Sequence, residues 1–521
     1  MSDRRLRVIQ RGADDGEADI CALLDQTVRI VLPSGTPPWR HQLLAVALVD
    51  QLGRLFPRIE IVSESDAPAD PRLPPGAGRL VERLEAARAR GFAPAPPTDE
   101  VAVTAAIGPA AGDADVHVDG TGWQSYVGAQ PSRLHGDDDS VVPVGPLIAA
   151  CRGANQVVQL VLGERLAQPA QTIESSYSSA LTYQCSTEPF DDPALTPPLR
   201  LEAVLVGAGS IGGAGVYLFA NVADLAGELD VVDDDALAEH NPDRAILATE
   251  ELAARGAVKV EVAADALAHL PALDARPHRQ RFEEFVAARP REAPLPVVLS
   301  AVDSVASRRE IQDAVPREVI DAACGLDQIS CSGHGTDEGP CVYCLQVENV
   351  LDSERIKYRL IAQATGLPEP TVIALLVKET PLTSQHLAAI ETHRRAHGES
   401  VPVSAFDSYL GKTLDTLYRE KFLYGEALVT TEGGGQAAVA APFITALAGF
   451  LLAGEALKAA AGGAYAPFRL GPRGEIATMY REDPWSSPVN ALLLNPPRWP
   501  TSECLCRSPR RLRLLRARYA L

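Results

Sequence analysis

The sequence is short of basic residues: 48 lysines and arginines stand against 68 aspartates and glutamates in 521 residues, a formal net charge of −20. Such an acidic chain is unsuited to nonspecific binding of nucleic acid, whose phosphates repel it. Residues 1–19 contain no apolar core, so we expect no secretory signal there. Both absences favour a cytoplasmic globular protein that has no nucleic-acid partner.

Long uncharged segments are scarce as well. The longest that stands out covers residues 437–454, near the lower length limit for crossing a bilayer. Small residues and a proline interrupt its apolar character, and Glu455 follows at once. We therefore predict a buried helix in this region and no membrane partner.

Cysteines are few and unevenly placed. Nine cysteines in a chain without a secretory signal favour thiol or metal chemistry over disulfides. Four of them form two close pairs far apart in the sequence, and four thiolates suit a closed structural zinc site. The predicted zinc ligands are Cys341, Cys344, Cys504 and Cys506. The alternatives are free thiols, or a ligand set that includes Cys324, Cys331 or His334.

What the sequence does contain is a glycine-rich turn between two apolar segments. A strand pattern at 203–206 runs into Gly207, Gly209 and Gly212; a helical segment follows, and a second strand pattern ends at Asp233. Such glycines allow a tight turn, close approach of the backbone to phosphate, and close packing of helix on strand. With an acidic residue after the second strand, the segment predicts a nucleotide-binding βαβ unit.

The residues that follow narrow the choice of nucleotide. A nicotinamide cofactor needs one acid for its ribose, whereas this chain continues with Asp235, Asn241, Arg244 and Lys259. Two cations and an amide suit a triphosphate, whose charge must be neutralised during attack on the α-phosphate. We therefore predict ATP. The alternatives are a dinucleotide-dependent dehydrogenase and a solvated acidic loop with incidental cations.

These motifs, in this order, resemble the ThiF/MoeB family, the adenylating domain shared with ubiquitin-activating enzymes. The family pattern is a glycine turn, D-x-D, N-x-x-R, a lysine, D-N-x-x-x-R and G-P-C-x-x-C. Ser304 replaces the usual asparagine and Pro242 a leucine, and neither change removes a charge. The matching segments here are 207–212, 233–235, 241–244, Lys259, 303–308 and 339–344.

The resemblance implies a role for each matching residue. Asp233 would hold the ATP ribose, beside Asp235, and Asp303 would bind Mg²⁺ after an apolar strand. An alternative for Asp303 is a helix N-cap, because a helical pattern follows it. The phosphate clamp would consist of Asn241, Arg244 and Lys259, and the catalytic set of Arg244, Lys259 and Asp303.

The reaction implied by the resemblance is attack of a substrate carboxylate on the ATP α-phosphate, giving an acyl-adenylate and pyrophosphate. The acceptor would be a ubiquitin-like or sulfur-carrier protein that ends in glycine. The alternatives are a ribosomal peptide substrate and a noncatalytic scaffold. Relatives that form a thioester carry a cysteine in the stretch between Cys344 and Cys504, where this chain has none. We therefore expect adenylation without an in-line thioester.

The first part of the chain repeats the pattern of the second. Residues 29–62 have the order strand, turn, helix, strand, without the glycine motif or the D-x-D run. Segments 145–150 and 441–446 match at an offset of 296, and Gly153 falls on Gly449. We predict an α/β fold in which a Rossmann-like, doubly wound adenylation domain follows a degenerate copy of itself. The alternative for the first half is an unrelated α/β domain.

In this interpretation the first half packs as a partner subunit does in dimeric relatives, and the protein is a monomeric pseudo-dimer. Those relatives complete the ATP site with an arginine of the partner, a role we expect for an arginine of the first half, for instance Arg40. The predicted domain limits are 1–165 (inactive copy), 166–200 (linker), 201–350 (ATP-binding core), 351–430 (crossover region with helices at 355–367 and 383–395) and 431–521 (C-terminal part with the second cysteine pair).

Overall fold

The computed structural model divides the chain into two compact units. The larger consists of Gln26–Val161, Gln171–Leu345 and Pro442–Leu521, and the smaller of Met1–Asp25, Leu162–Ala170 and Gln346–Ala441. The residues that the structure describes are 17–64, 67–74, 78–91, 93–109, 113–135, 142–165, 175–195, 199–290, 293–325, 328–335, 340–346, 358, 361–362, 365–396, 406–417, 426–430, 436–462, 478–495 and 508–519.

The larger unit begins with a seven-stranded sheet, the first sheet. Its strands are β1 (Thr27–Val31), β2 (Ile59–Val62), β3 (Val101–Ile107), β4 (Val116–Thr121), β5 (Gln124–Gly128), β6 (Ser176–Ser179) and β7 (Cys185–Ser186). Their order is β2-β1-β3-β4-β5-β6-β7. The strands β1 to β4 are parallel, and each later strand is antiparallel to its neighbour.

The second sheet of the larger unit has eight strands. They are β8 (Arg200–Val206), β9 (Ala226–Val232), β10 (Leu273–His278), β11 (Val297–Ser300), β12 (Glu318–Cys324), β13 (Ile329–Gly335), β16 (Met479–Glu482) and β17 (Leu492–Leu494), in the order β10-β9-β8-β11-β12-β13-β16-β17. Among the described strands, the order β9-β8-β11-β12-β13-β16-β17 matches the order β2-β1-β3-β4-β5-β6-β7 of the first sheet, with the same strand directions. Only β10 has no counterpart among them. The predicted fold class is confirmed.

The helices connect and cover these strands. In the larger unit they are α2 (Trp39–Gly53), α3 (Leu80–Ala89), α4 (Val144–Leu162), α5 (Ser210–Ala220), α6 (Glu250–Ala254), α7 (Lys259–Leu267), α8 (Phe282–Ala287), α9 (Val305–Asp313), α10 (Val342–Gln346), α13 (Pro442–Ala461) and α14 (Pro509–Tyr519). The repeat extends to the helices. Helices α2 and α5 each follow the first strand of their sheet along the chain. Helix α4 comes after β5, and α13 comes later in the chain than β13, the strand that corresponds to β5.

Helix α13 is covered on opposite sides. It packs on α5 and on strands β8, β12 and β13, while Gly454 lies next to Val144 and Trp123 of the first half. Since both sides are buried, apolar residues occur all around the helix, and its two charged residues, Glu455 and Lys458, pair with each other. By length and composition it could span a membrane, but 89% of its most apolar window is buried inside the protein. The predicted buried helix is confirmed.

The smaller unit contains α1 (Glu17–Leu24), α11 (Glu369–Val377), α12 (Ser384–Ala396) and a hairpin of β14 (Glu426–Thr430) and β15 (Gln436–Ala440). Helix α12 confirms the helix predicted at 383–395, whereas the one predicted at 355–367 lies mostly outside the described residues. The domain limits given above stay predictions. The core of this unit is formed by Ile361, Leu367, Val372, Leu375, Leu382, Leu387, Ile390, Phe406, Tyr409, Leu414 and Leu417.

Candidate functional site

The sequence motifs meet at the carboxyl edge of the second sheet. Strand β8 lies between β9 and β11, so the chain leaves β8 to one side and later returns on the other. In an open parallel sheet this reversal leaves a crevice at the carboxyl ends of the strands, where ligands bind. Gly207 follows β8, Asp233 follows β9 and Asp303 follows β11. The structure therefore brings three separate predicted motifs together.

The glycine turn is as tight as the motif predicts. Gly207 has a φ of +91°, and a Cβ there would lie 2.7 Å from the carbonyl oxygen of Ala301. A Cβ on Gly212 would lie 1.9 Å from the Gly207 carbonyl oxygen, so neither position admits a side chain. Gly209 is the N-cap of α5, and no described heavy atom lies within 4 Å of a Cβ built there. Among the described residues there is thus open space beside Gly209, at a helix N-terminus whose free amides suit a phosphate.

Asp233 is anchored at the edge of this turn. Its Oδ2 accepts a hydrogen bond from the Ala208 amide at 2.7 Å, and its Oδ1 accepts one from the Asp235 amide at 2.9 Å. Burial raises the pKa of Asp233, although Lys259 and the two amide donors lower it. The side chain is therefore held beside the glycine turn, where the resemblance places the ribose.

Lys259 lies at the same carboxyl edge of the second sheet. It is the first residue of α7, and its Nζ lies 2.6 Å from Asp235 Oδ2, with 11% of the lysine side chain exposed. Carboxylate oxygens of Asp233, Asp234 and Asp235 lie within 4.8 Å of one another. The ammonium group offsets part of the repulsion among these three acids.

The N-x-x-R segment forms a compact loop. Residues Asn241–Asp243 are one turn of 3₁₀ helix, and Asn241 Oδ1 accepts a hydrogen bond from the Ala238 amide at 2.7 Å. Arg244 follows this turn, and its carbonyl oxygen lies 3.4 Å from the hydroxyl of Thr445 on α13. The side-chain oxygen of Asn241 thus shapes its own loop, and the clamp roles predicted for Asn241 and Arg244 stay predictions.

Asp303 is exposed and immediately precedes the N-cap of α9. That cap is Ser304, whose hydroxyl oxygen accepts a hydrogen bond from the Ser307 amide at 3.0 Å. The alternative role predicted for Asp303 was the helix N-cap. The structure gives that role to its neighbour, Ser304. The predicted magnesium role of Asp303 stays a prediction.

A side chain that sequence reasoning left without a role supports this turn. Arg308 donates to the Val302 carbonyl at 2.9 Å and to Asp321 Oδ1 at 3.0 Å. The same Asp321 oxygen accepts a hydrogen bond from the Ser300 hydroxyl at 2.6 Å. The position of Arg308 at the end of the 303–308 motif was the available signal, but its partner on β12 was not visible in the sequence.

The first cysteine pair has the spacing of two metal ligands. The sulfurs of Cys341 and Cys344 are 3.7 Å apart. Two thiolates around a tetrahedral zinc with Zn–S bonds of about 2.3 Å are separated by about the same distance. Cys504 and Cys506 lie outside the described residues. The donors that are described fit half of the predicted zinc site.

The alternative metal ligands fit less well. His334 has Nδ1 2.8 Å from the Pro340 carbonyl oxygen and Nε2 2.9 Å from the Ser332 hydroxyl, so both ring nitrogens have protein partners. The pKa of Cys324 is raised to about 11, because the effect of burial exceeds the opposite effect of Arg244 and Arg308. Near pH 7 the Cys324 thiol is therefore neutral, which does not suit a nucleophile.

Comparison with known proteins is consistent with this arrangement. A model of the ThiF family matches residues 182–481. The uncharacterized protein y4jF of Sinorhizobium fredii is 28% identical over 333 residues, which cover 63% of this chain and 62% of the relative. The chain thus spans less than two thirds of the length of that relative.

Solved structures to which the chain is similar include E. coli MccB, at 13% identity and a TM-score of 0.34, covering 60% of this chain and 66% of that one. Another is E. coli MccB with AMPCPP and MccA, at 14% identity and a TM-score of 0.26, covering 47% and 64%.

Proposed function

Because the chain belongs to the ThiF family, we propose that it catalyses ATP-dependent adenylation of a substrate carboxylate. The observation that supports this most directly is the meeting of the glycine turn, Asp233 and Asp303 at the carboxyl edge of the second sheet. A triphosphate needs donors at its oxygens and cations to neutralise its charge. That edge offers the N-terminus of α5 and the ammonium group of Lys259.

In the proposed complex the amides at Gly209 and after it bind the ATP phosphates, helped by the positive end of the α5 dipole. The Asp233 carboxylate accepts hydrogen bonds from the ribose hydroxyls, as acidic residues in this position do in related nucleotide sites. Lys259 and Arg244 neutralise the phosphates. Lys259 would then exchange part of its contact with Asp235 for a phosphate oxygen.

The reaction needs no general base. A C-terminal carboxylate is already ionised near pH 7, so its oxygen can attack the α-phosphorus directly. The new O–P bond forms while the bond from the α-phosphorus to the bridging oxygen breaks, and pyrophosphate leaves with that electron pair. Catalysis is then positioning and charge neutralisation, both of which Lys259 and Arg244 can provide.

Two metals fit the donors present. Carboxylate oxygens suit Mg²⁺, and Asp303 would hold it next to the glycine turn. When bound, the ion supplies charge neutralisation at the phosphates. The thiols of Cys341 and Cys344 have the spacing for a structural zinc, which Cys504 and Cys506 would complete.

We further propose that the carboxylate belongs to the C-terminal glycine of a ubiquitin-like or sulfur-carrier protein, as the sequence resemblance implies. The first half would take the place of a partner subunit, which is consistent with its shared topology. A cytoplasmic location, with no nucleic-acid or membrane partner, stays part of the same proposal.

The decisive experiment is ATP–pyrophosphate exchange with Mg²⁺ and a panel of glycine-ended carrier proteins and peptides. We expect exchange with one acceptor only, and its loss in Asp303→Ala and Lys259→Met. A matched control is Arg29→Met, which removes a half-exposed pair with Glu60 on the first sheet and should leave exchange unchanged.

The outcomes separate the alternatives. Exchange with a peptide but with no carrier protein would replace the proposed substrate and keep the reaction. ATP binding without exchange for any acceptor would contradict catalysis and favour a scaffold. Binding of NAD in place of ATP would contradict the nucleotide itself.

A further inference from the structure

A buried arginine of the first half contacts the N-x-x-R loop of the second. Arg54 is the C-cap of α2, and its side chain is 0% exposed. Its Nη1 donates to the carbonyl oxygen of Pro242, and its Nη2 donates to that of Ile246 at 3.1 Å. These two carbonyl groups lie two residues before and two residues after Arg244. One guanidinium group therefore holds the backbone on both sides of the predicted phosphate-binding arginine.

The guanidinium group is itself held rigidly. Its Nε lies 3.1 Å from Asp50 Oδ2, and its Nη2 lies 3.2 Å from Asp50 Oδ1, one helical turn earlier. Asp50 is 1% exposed. An arginine paired with a carboxylate through two nitrogens has a fixed plane, so its remaining donors point in fixed directions.

Such a pair is not explained by stability alone. Removing two charges from water is costly, and buried ion pairs can often be replaced by apolar residues without loss of stability. Here the guanidinium group also donates to two carbonyl groups of one short segment of the other half. The segment also meets α13, where the Thr445 hydroxyl lies 3.4 Å from the Arg244 carbonyl oxygen and 3.0 Å from the Pro442 carbonyl oxygen of its own helix.

We propose that Arg54 is a positioning residue of the ATP site. It orients Arg244 by holding the carbonyl groups of Pro242 and Ile246, and it does not touch the nucleotide. This role rests on the proposed function, and through it the first half supplies the support for the phosphate clamp. It also differs from the expectation for Arg40, whose Nε lies 3.3 Å from His41 Nε2 within the first half.

The test compares two arginines that both join the halves, Arg54, which is fully buried, and Arg152, whose side chain is 11% exposed. Arg54→Lys keeps the charge but loses the planar arrangement of donors. The matched control is Arg152→Lys, because Arg152 pairs with Glu482 of the second sheet at 3.0 Å and contacts Tyr480 there. The readouts are the Kd of Mg·ATP by calorimetry, the KM for ATP and kcat in exchange, and the thermal midpoint.

We expect Arg54→Lys to weaken Mg·ATP binding by about tenfold, the size of one lost net hydrogen bond. The KM for ATP should rise by more than kcat falls. Arg152→Lys should lower the thermal midpoint but change the Kd by less than about twofold, because its contacts lie away from the loop. Wild-type affinity in Arg54→Lys, or an equal loss in Arg152→Lys, would overturn the proposal.

A second variant covers the case in which Arg54→Lys does not fold. Thr445→Val removes the contact at 3.4 Å to the Arg244 carbonyl oxygen, together with the hydrogen bond to Pro442 within α13, without disturbing a buried charge. It should weaken Mg·ATP binding by about threefold; an unchanged Kd in that case would refute positioning of the segment. Absence of ATP binding in the wild-type chain would instead refute the proposed function, so the two failures are distinguishable.

Discussion

At the end of β1, seven residues that include three prolines lead into α2, whereas at the end of β8 three residues that include two glycines lead into α5. Prolines have no N–H group, and Pro38 is the N-cap of α2. In the first-sheet turn, three of the seven residues therefore have no amide to offer a phosphate, including the N-cap of the helix, whereas every residue of the shorter turn after β8 has one. Equal topology leaves room for unequal chemistry at this one connection.

The carboxyl edge of the first sheet is also filled by its own side chains. His41 Nε2 lies 2.9 Å from Asp119 Oδ1, and these side chains are 2% and 1% exposed. The His41 ring lies against Gly108, where a Cβ would be 2.5 Å from it. The same edge of the second sheet presents Asp233 and Lys259 beside the N-terminus of α5, where no described heavy atom lies within 4 Å of a Cβ built on Gly209. Comparing the two edges shows how one fold supports packing in one copy and a ligand site in the other.

The largest effect should come from adding a methyl group to the glycine turn at 207–212, the feature in which the second half differs from the first. Gly212→Ala places a methyl group 1.9 Å from the Gly207 carbonyl oxygen, so the turn must open. We expect Mg·ATP affinity to fall by about 100-fold, as several phosphate contacts are lost together. The matched control is Gly213→Ala, whose methyl group would be 3.8 Å from Leu247 and should be tolerated. Equal behaviour of the two variants in calorimetry would show that the turn does not bind phosphate.

A smaller effect is expected from the acid that the first sheet lacks. Asp233→Asn should weaken Mg·ATP binding by about tenfold, because a charged acceptor is replaced by a neutral one. In the wild type, the raised pKa of Asp233 means that affinity should rise as the pH passes upward through that pKa. The variant should lose this dependence, which calorimetry between about pH 4 and pH 8 measures.

The same shift has a consequence for stability. Folding disfavours the ionised form of Asp233, so its pKa is higher in the folded protein than in the unfolded chain. Its contribution to the free energy of unfolding is therefore fully present below the pKa of the unfolded chain, and it is lost as the pH rises through the pKa of the folded protein. Asp233→Asn should remove this loss. Urea midpoints that fall equally with pH in both proteins would argue against burial as the cause.

The smallest effect on the nucleotide should come from the Cys-x-x-Cys pair, a motif that the first half does not have. Cys341→Ser should abolish binding of one zinc per chain and lower the thermal midpoint, with ATP affinity within about twofold of wild type. Metal analysis of the purified protein measures this. Cys331→Ser, on β13, is the control that should keep its zinc. Zinc retained in Cys341→Ser would exclude the proposed ligand set.

Much of the candidate site was readable because its rules are local. A positive φ at Gly207 depends on neighbours within a few residues, and so does the start of α9, although the alternative prediction placed its N-cap at Asp303, one residue before Ser304. Strand and helix patterns at 29–62 and 203–232 also held, because parallel strands covered on both faces are continuous apolar runs. The bounds shifted by one to three residues, as at β9, which ends at Val232.

By itself, the sequence determined the glycine turn, the acid beside it, the lysine that opens α7 and the α/β class of the fold. The tertiary structure decided which distant groups support them: Arg54 on the Pro242 carbonyl, 188 residues away, and Arg308 on Asp321 of another strand. The reason is physical. Turn geometry and helix capping are set by bonds between near neighbours, whereas a buried guanidinium group finds its acceptors only when separately folded layers pack together.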